Sequence, residues 1–483
     1  MPHSNPVAHT RLIRNTTIYA LGDIVPRLLS FVSFPILTRY LTPADYGIVS
    51  YVNTTNTFLL IVSLLCLNTY YLVYYYRQDD ARGQAQLLGN LSIFIIVFNV
   101  LLSGIAFLCG NSLFGAIGAN ISFYPYIALG IATNFFNVLS ILPMALFRVQ
   151  ERPLPLTILN ILKGGLTFAL TLLLVVRYHY TALGVLYSGL AIAAVFGLVF
   201  LWITNRHAIW RIDRRQLIHA LRFSLPLLPG ALSYYLVLMS DRVFIDKYLT
   251  LNDLGIYSTA SMLALLLNII VYGAYKAFEP YFFRIYGTDR FCSEFTKVKN
   301  GYLFILLCGA LCLAIYAKEF FELFAGSEFL ASYFYVAPIL IGVVISAMTL
   351  MYSTVITAQN KTKLNSAITI LGGIVSVGSN LLLVRHWGLP AACFTSAVST
   401  LVMLELSVRA AGLKLPQIRS WLAVTVCSAS TIFAVYILNI PSIGLSVLVK
   451  SFLAAITIWG LTVILRIRVK ALLKSFTDKL QIL

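Results

Sequence analysis

Acidic residues are scarce in this chain. Asp and Glu number 17 against 35 Lys and Arg, and charged residues make up only 11% of its 483 residues. Soluble domains carry about 25% charged residues, so a water-facing globular surface is excluded. Histidine is sparse too. His3, His9, His179, His207, His219 and His386 fall in tails, loops or helix ends and form no cluster, so the sequence offers no metal or histidine-based catalytic site. The seven cysteines lie mostly in apolar runs. Cys308 and Cys312 are one helical turn apart but have no His or acid beside them. Packing is therefore expected, rather than metal binding or an exported disulfide framework. No loop exceeds roughly 20 residues, which leaves no room for a soluble catalytic domain. The first 15 residues are polar and lack the apolar core and cleavage site of a signal peptide. The first helix is expected to stay as an anchor.

Apolar side chains are abundant. Hydrophobic residues make up 59%, and the mean hydropathy is +0.87. Apolar stretches recur from 16–40 to 443–465, with two close together at 364–384 and 389–411. Each is long enough to cross a bilayer core, and they predict about 14 transmembrane helices. The alternating pattern of an outer-membrane barrel strand is absent, so the expected fold is an all-α integral membrane protein. With the N-terminus in the cytoplasm, most Lys and Arg fall on the cytoplasmic side, and both termini lie there. Arg206, Arg211, Arg214, Arg215 and Arg222 form the largest group. The net charge of +18 is thus read as topology plus attraction to anionic lipid. No nucleic-acid partner and no cofactor are expected.

The chain repeats itself. Tyr40-Leu-Thr-Pro-Ala-Asp-Tyr-Gly-Ile48 returns as Tyr248-Leu-Thr-Leu-Asn-Asp-Leu-Gly-Ile256, shifted by 208 positions, and the same shift carries Gly164-Gly165 onto Gly372-Gly373. Internal duplication of a membrane chain marks transporters whose two lobes rock against each other. An even number of helices separates the copies, so the repeats are parallel. The expected organisation is an N-terminal tail over 1–15, an N-lobe over 16–222 and a C-lobe over 223–415. Residues 416–483 add two helices and a basic tail without a repeat partner.

Charges inside apolar helices cost at least about 2.5–3.5 kcal/mol each and face protein or water. Asp23 and Arg27 share one face of the first helix, and Arg242 and Asp246 share a face of the seventh. Asp241 adjoins Arg242. Lys276 and Glu279 lie one turn apart, Lys163 is flanked by glycines, and Glu405 snorkels or pairs locally. Two readings stand. Arg27, Lys163, Arg242 and Lys276 would supply donors to an anionic substrate, with Asp23, Asp241, Asp246 and Glu279 coupling an ion. Alternatively, these groups pair with each other and hold helices together. Asp45 and Asp253, in the matched turns, are expected to cap the following helices or serve an outer gate. The run Tyr70 to Tyr76 reads as an aromatic belt, with sugar stacking as the alternative.

Some segments resemble a family. Tyr19-Ala-Leu-Gly22, then Phe34-Pro35-Ile-Leu-Thr-Arg39-Tyr-Leu-Thr-Pro43-Ala-Asp45-Tyr-Gly47, is similar to the Wzx-type polysaccharide flippases. So are Leu225-Pro226-Leu-Leu-Pro229, Ser240-Asp241-Arg242 and Gly388-Leu-Pro-Ala391-Ala392. Multidrug extruders and lipid II flippases belong to the same superfamily. The resemblance implies two six-helix lobes around a largely cationic cavity in a bacterial inner membrane. It also implies alternating access, by which an undecaprenyl-pyrophosphate-linked oligosaccharide, such as an O-antigen unit of lipopolysaccharide, crosses the bilayer. Membrane lipids and other polysaccharide assembly proteins are the implied partners. Two rival functions are weighed. An exporter of cationic drugs coupled to protons or sodium would favour an acidic cavity. A membrane-embedded polymerase or ligase normally needs a soluble domain, which is missing.

Overall fold

A computed structural model describes residues 28–78, 80–413, 418–438 and 443–467, together with Ile18, Gly22, Val25 and Pro26. The described residues are helical and contain no strand. The chain divides into two compact units, Met1–Leu232 and Ser233–Leu483.

In unit 1, a short apolar helix, α1 (Leu28–Leu37), precedes α2 (Pro43–Leu64) and α3 (Leu67–Tyr74). Next come α4 (Ala81–Ile117), α5 (Ala128–Val149), α6 (Pro153–Leu172), α7 (Ala182–His207) and the short α8 (Arg214–Ser224). Helix α9 (Leu228–Tyr248) carries the chain into unit 2. There α10 (Leu251–Leu265), α11 (Leu267–Ile285), α12 (Phe291–Ile315) and the short α13 (Ala317–Phe324) precede α14 (Tyr333–Ala358) and α15 (Thr362–Ala411). Two more follow, α16 (Ile418–Ile432) and α17 (Ile443–Leu465). Among the described residues, twelve helical stretches are long and apolar enough to cross a membrane. The longest, α15, breaks at Gly388, whose φ of 65° and ψ of −147° suit only glycine. It therefore contains both of the expected spans 364–384 and 389–411.

The repeated turns have matching geometry. Thr42 and Asp45 form a reciprocal capping box at the start of α2, with the Thr42 N–H donating to Asp45 Oδ2 at 3.0 Å. Thr250 and Asp253 do the same at α10, at 3.1 Å. Each box satisfies backbone donors that a helix start leaves orphaned. Asp45 does more: its Oδ1 accepts from the Ala182 N–H at 3.1 Å, which ties the start of α2 to the start of α7.

Between α2 and α3 the backbone is broken by two adjacent left-handed residues, Leu65 (φ 46°) and Cys66 (φ 59°). Neither is glycine, so the break holds local strain. Around it Leu67, Tyr71, Leu87, Leu91, Leu142 and Leu146 form a buried apolar cluster. Buried amides and hydroxyls lock helices in each unit. In unit 1, Ser63 on α2 donates to Asn99 Oδ1 of α4 at 3.2 Å and accepts from Asn134 of α5 at 3.3 Å. In unit 2, Asn380 on α15 donates to Ser240 of α9 at 3.1 Å and accepts from Thr395 at 3.0 Å. Such bonds within a membrane contribute about 0.6 kcal/mol each.

The last two helices pack on α12, and buried lysines secure them. Lys299 Nζ donates to Ser420 Oγ at 3.0 Å. Lys450 Nζ lies 2.7 Å from one Glu319 oxygen and 3.0 Å from the other. Glu319 sits beyond the end of the α12 span. Burial pushes its carboxyl pKa up, but hydrogen bonds from Lys450 and Ser446 outweigh that and hold it below the ordinary value.

Candidate functional site

A cavity with a charged wall lies in unit 1. It encloses about 620 Å³ between the first helix, α2, α5, α6 and α7. Its polar wall comprises Ser30, Ser33, Asn53, Asn160, Lys163, Thr167 and Thr171. Lys163 is the only charged lining residue among the described ones.

Helix α6 places it there. Prolines at 153 and 155 suit the first turn of α6, where an N–H is dispensable. Asn160 and Lys163 are three residues apart and so share a face, with Thr167 one turn further along it. Gly164 brings the first helix close: a β-carbon there would sit 2.9 Å from Pro26 Cβ. Ile18 is held nearby, its carbonyl accepting from Thr157 Oγ1 at 2.9 Å. Lys163 is half-buried, and its Nζ donates to Asn137 Oδ1 of α5 at 2.8 Å. Among the described residues its hydrogen-bond partner is this neutral amide, and no acid lines the cavity. An ammonium with further N–H donors, set in a cavity walled by hydroxyls and amides, is suited to an anion or a polyol.

The other charged residues singled out in the sequence occupy different places. Asp23 and Arg27 lie outside the described residues. Arg242 on α9 is buried, its Nη1 3.7 Å from Asp241 Oδ1 and its guanidinium carbon 5.5 Å from the Tyr257 ring centre. Asp246 is fully buried one turn on. Lys276 on α11 is exposed. Glu279 accepts a hydrogen bond from Tyr275 at 2.9 Å. Glu405 pairs with Arg409 at 2.8 Å on an exposed face. Tyr70 and Tyr74 stack at 4.2 Å, with His219 set edge-on to both.

Unit 2 has a smaller cavity of about 120 Å³, lined by Tyr234, Asn268, Tyr272, Ser353, Asn365 and Ser407 among others, and no charged residue among the described ones lines it. Sequence reading missed Asn137 as the partner of Lys163 and Asn160 as its neighbour on the cavity wall, because neutral amides in a span carry no obvious cost. It also missed Lys299 and the Glu319–Lys450 pair. The available signal was Lys450 itself, an ammonium within an apolar run that has no acid on its own helix.

Comparison with known proteins gives a consistent picture. The family described as "Polysaccharide biosynthesis protein" matches residues 12–286. "Lsg locus putative protein 1" of Haemophilus influenzae is 25% identical over 386 residues, covering 76% of this chain and 90% of the relative. Among solved structures, the lipid II flippase MurJ in an inward closed conformation superposes with a TM-score of 0.74 at 11% identity, covering 93% of this chain and 99% of that one. An inward-facing multidrug resistance MATE transporter of the MOP superfamily superposes at 0.63 and 16% identity, covering 82% and 95%. At such identities the structural likeness establishes the fold alone.

Proposed function

The chain belongs to the polysaccharide biosynthesis protein family, and from that premise we propose that it flips an undecaprenyl-pyrophosphate-linked oligosaccharide across a bacterial inner membrane by alternating access. The coarser statement, a multi-pass transporter of the flippase superfamily acting on a lipid-linked glycan or a related cargo, rests on the family and the fold. The observation that carries the finer reading is the unit 1 cavity, with a single lysine among hydroxyls and amides.

On this reading Lys163 receives the substrate's diphosphate. The Asn137 carbonyl holds the ammonium in place, and a phosphate oxygen replaces it, exchanging a neutral acceptor for a charged one. Asn53, Asn160 and Thr167 offer hydrogen bonds to sugar hydroxyls. Arg27, Arg242 and Lys276 are the further donors assigned to the diphosphate. Asp23, Asp241, Asp246 and Glu279 are assigned to pairing with them or to ion coupling. Both termini face the cytoplasm, and the glycan belongs to an O-antigen or similar lipopolysaccharide unit. An exporter of cationic drugs would meet repulsion from Lys163.

The test is depletion of the protein in its own cells. Lipid-linked repeat units should accumulate on the inner leaflet while surface glycan falls, and Lys163→Ala should reproduce this at normal membrane levels. Unchanged lipid-linked glycan together with a new sensitivity to cationic drugs would overturn the reading in favour of a drug exporter.

A further inference from the structure

The segment from Asn205 to Arg222, which leaves α7 and forms most of α8, is basic, partly apolar on its exposed side and firmly docked. Arg206, Arg211, Arg214, Arg215 and Arg222 are all exposed. Its single acid, Asp213, is already committed: its carboxylate caps α8, accepting from the N–H groups of Arg215 at 2.9 Å and Gln216 at 3.1 Å. Between the arginines stand exposed Trp210 (40%) and Ile212 (65%). Large apolar side chains next to arginines, at the ends of two membrane-spanning helices, suit the boundary between acyl chains and headgroups.

The segment is held in one conformation by α4. Asn90 Oδ1 accepts from the Asp213 N–H at 3.2 Å, and its Nδ2 donates to the Asp213 carbonyl at 3.0 Å and to Gln216 Oε1 at 2.9 Å. The Ile209 N–H donates to the Ala85 carbonyl at 3.0 Å. Gly89 makes the approach possible, because a β-carbon there would overlap the Ile209 carbonyl. Trp210 Nε1 donates to Asn205 at 2.7 Å, and the Arg206 guanidinium lies 3.9 Å over the Trp202 ring. A charge excess needed only to orient the chain during insertion requires none of this architecture.

We propose that this docked segment is a preformed binding site for the anionic headgroups of bilayer phospholipids in the leaflet it meets. Arg211, Arg214 and Arg215 contact phosphate, while Trp210 and Ile212 enter the acyl boundary. The charge is spread along the segment and interleaved with apolar side chains. That pattern fits several separate headgroups better than one diphosphate.

The experiment uses the full-length protein in nanodiscs of phosphatidylcholine containing phosphatidylglycerol and a trace of photoreactive phosphatidylglycerol, with adducts mapped by mass spectrometry. Adducts should concentrate in residues 205–222 and be competed by phosphatidylglycerol but not by phosphatidylcholine. Replacing R211, R214 and R215 together by Gln should lower their yield at least about tenfold, since each basic residue near an anionic leaflet strengthens association by roughly fivefold. Gly89→Val keeps every arginine but displaces Ile209, and should lower the yield by more than half. Adducts spread over all basic surfaces, or a Gly89→Val yield equal to wild type, would overturn the proposal. So would stronger competition by a polyprenyl diphosphate than by phosphatidylglycerol, which would assign the site to the substrate instead. If the triple variant does not insert, wild-type mapping and competition decide alone. None of these readouts depends on transport, so the result stands apart from the function proposed above.

Discussion

The two units keep the same turns and the same glycines, but their chemistry differs at matching positions. Thr42–Asp45 and Thr250–Asp253 cap their helices in the same way, and Gly164 recurs as Gly372. The residues that build the unit 1 lysine site do not recur. At the repeat shift Lys163 meets Leu371, Asn160 meets Ile368 and Asn137 meets Ile345. The reverse holds for the buried unit 2 cluster, where Ser240 and Asn380 meet Val32 and Leu172. Duplication has preserved devices that shape the backbone, which both units need. It has not preserved the polar groups, which only one place needs. Unit 1 thus carries a lysine on its cavity wall, whereas in unit 2 buried polar groups lock α9 against α15 and fasten α16 and α17.

The largest effect expected from this contrast lies in the part that only unit 2 has. Glu319→Ala leaves Lys450 buried without its partner and should cost about 3–5 kcal/mol of stability, read as a lower melting temperature of the purified protein. The double change to Glu319→Leu with Lys450→Met should recover most of it. The Glu319 pKa is depressed in the folded state, so its contribution is complete above the ordinary carboxylate pKa. It should fade as pH falls through the lowered value. A melting temperature insensitive to Glu319→Ala would mean α17 is held by apolar packing alone.

Next in size is the asymmetry of the cavities. Lys163→Met should reduce glycan export by about 10- to 100-fold, the loss of a charge-assisted hydrogen bond of about 1.5–3 kcal/mol. Lys163→Arg should retain more activity than Lys163→Met, and Leu371→Lys should not rescue Lys163→Met. Export measured at matched membrane levels checks this, and rescue by Leu371→Lys would show that the units are interchangeable.

The capping boxes should behave alike. Thr42→Ala and Thr250→Ala should each cost about 1 kcal/mol, and a clear inequality in melting temperature would show that the repeat's symmetry is only geometric. The smallest effect concerns the helix breaks. Cys66→Gly relieves a left-handed residue and should stabilise unit 1 by a few tenths of a kcal/mol, after the entropy glycine adds to the unfolded chain. Leu266→Gly should destabilise, because Leu266 has ordinary helical angles (φ −58°, ψ −30°).

Much of this architecture is legible in the sequence, because a bilayer leaves few choices: a long apolar run must satisfy its own backbone and so becomes a helix. The paired runs separated at Gly388 and the capping turns at Asp45 and Asp253 were readable for the same local reason. Links between distant positions were not. Lys163 stands out as a charge in a span, but its partner Asn137 lies 26 residues away on another helix. Lys450 and Glu319 are 131 residues apart. At Arg242, four-residue spacing drew attention to Asp246. The structure also places the guanidinium 3.7 Å from the adjacent Asp241, an approach that depends on side-chain rotamers and that helical periodicity does not encode.

The carboxylate of Asp45 has a mechanical consequence. One oxygen closes the cap of α2 while the other receives the first N–H of α7, so a single side chain fastens two helix ends. Neither end can travel along its axis without stripping a charge-assisted bond from the other. That bond favours joint movement of the two ends, and the left-handed Leu65–Cys66 step offers a point for bending between α2 and α3.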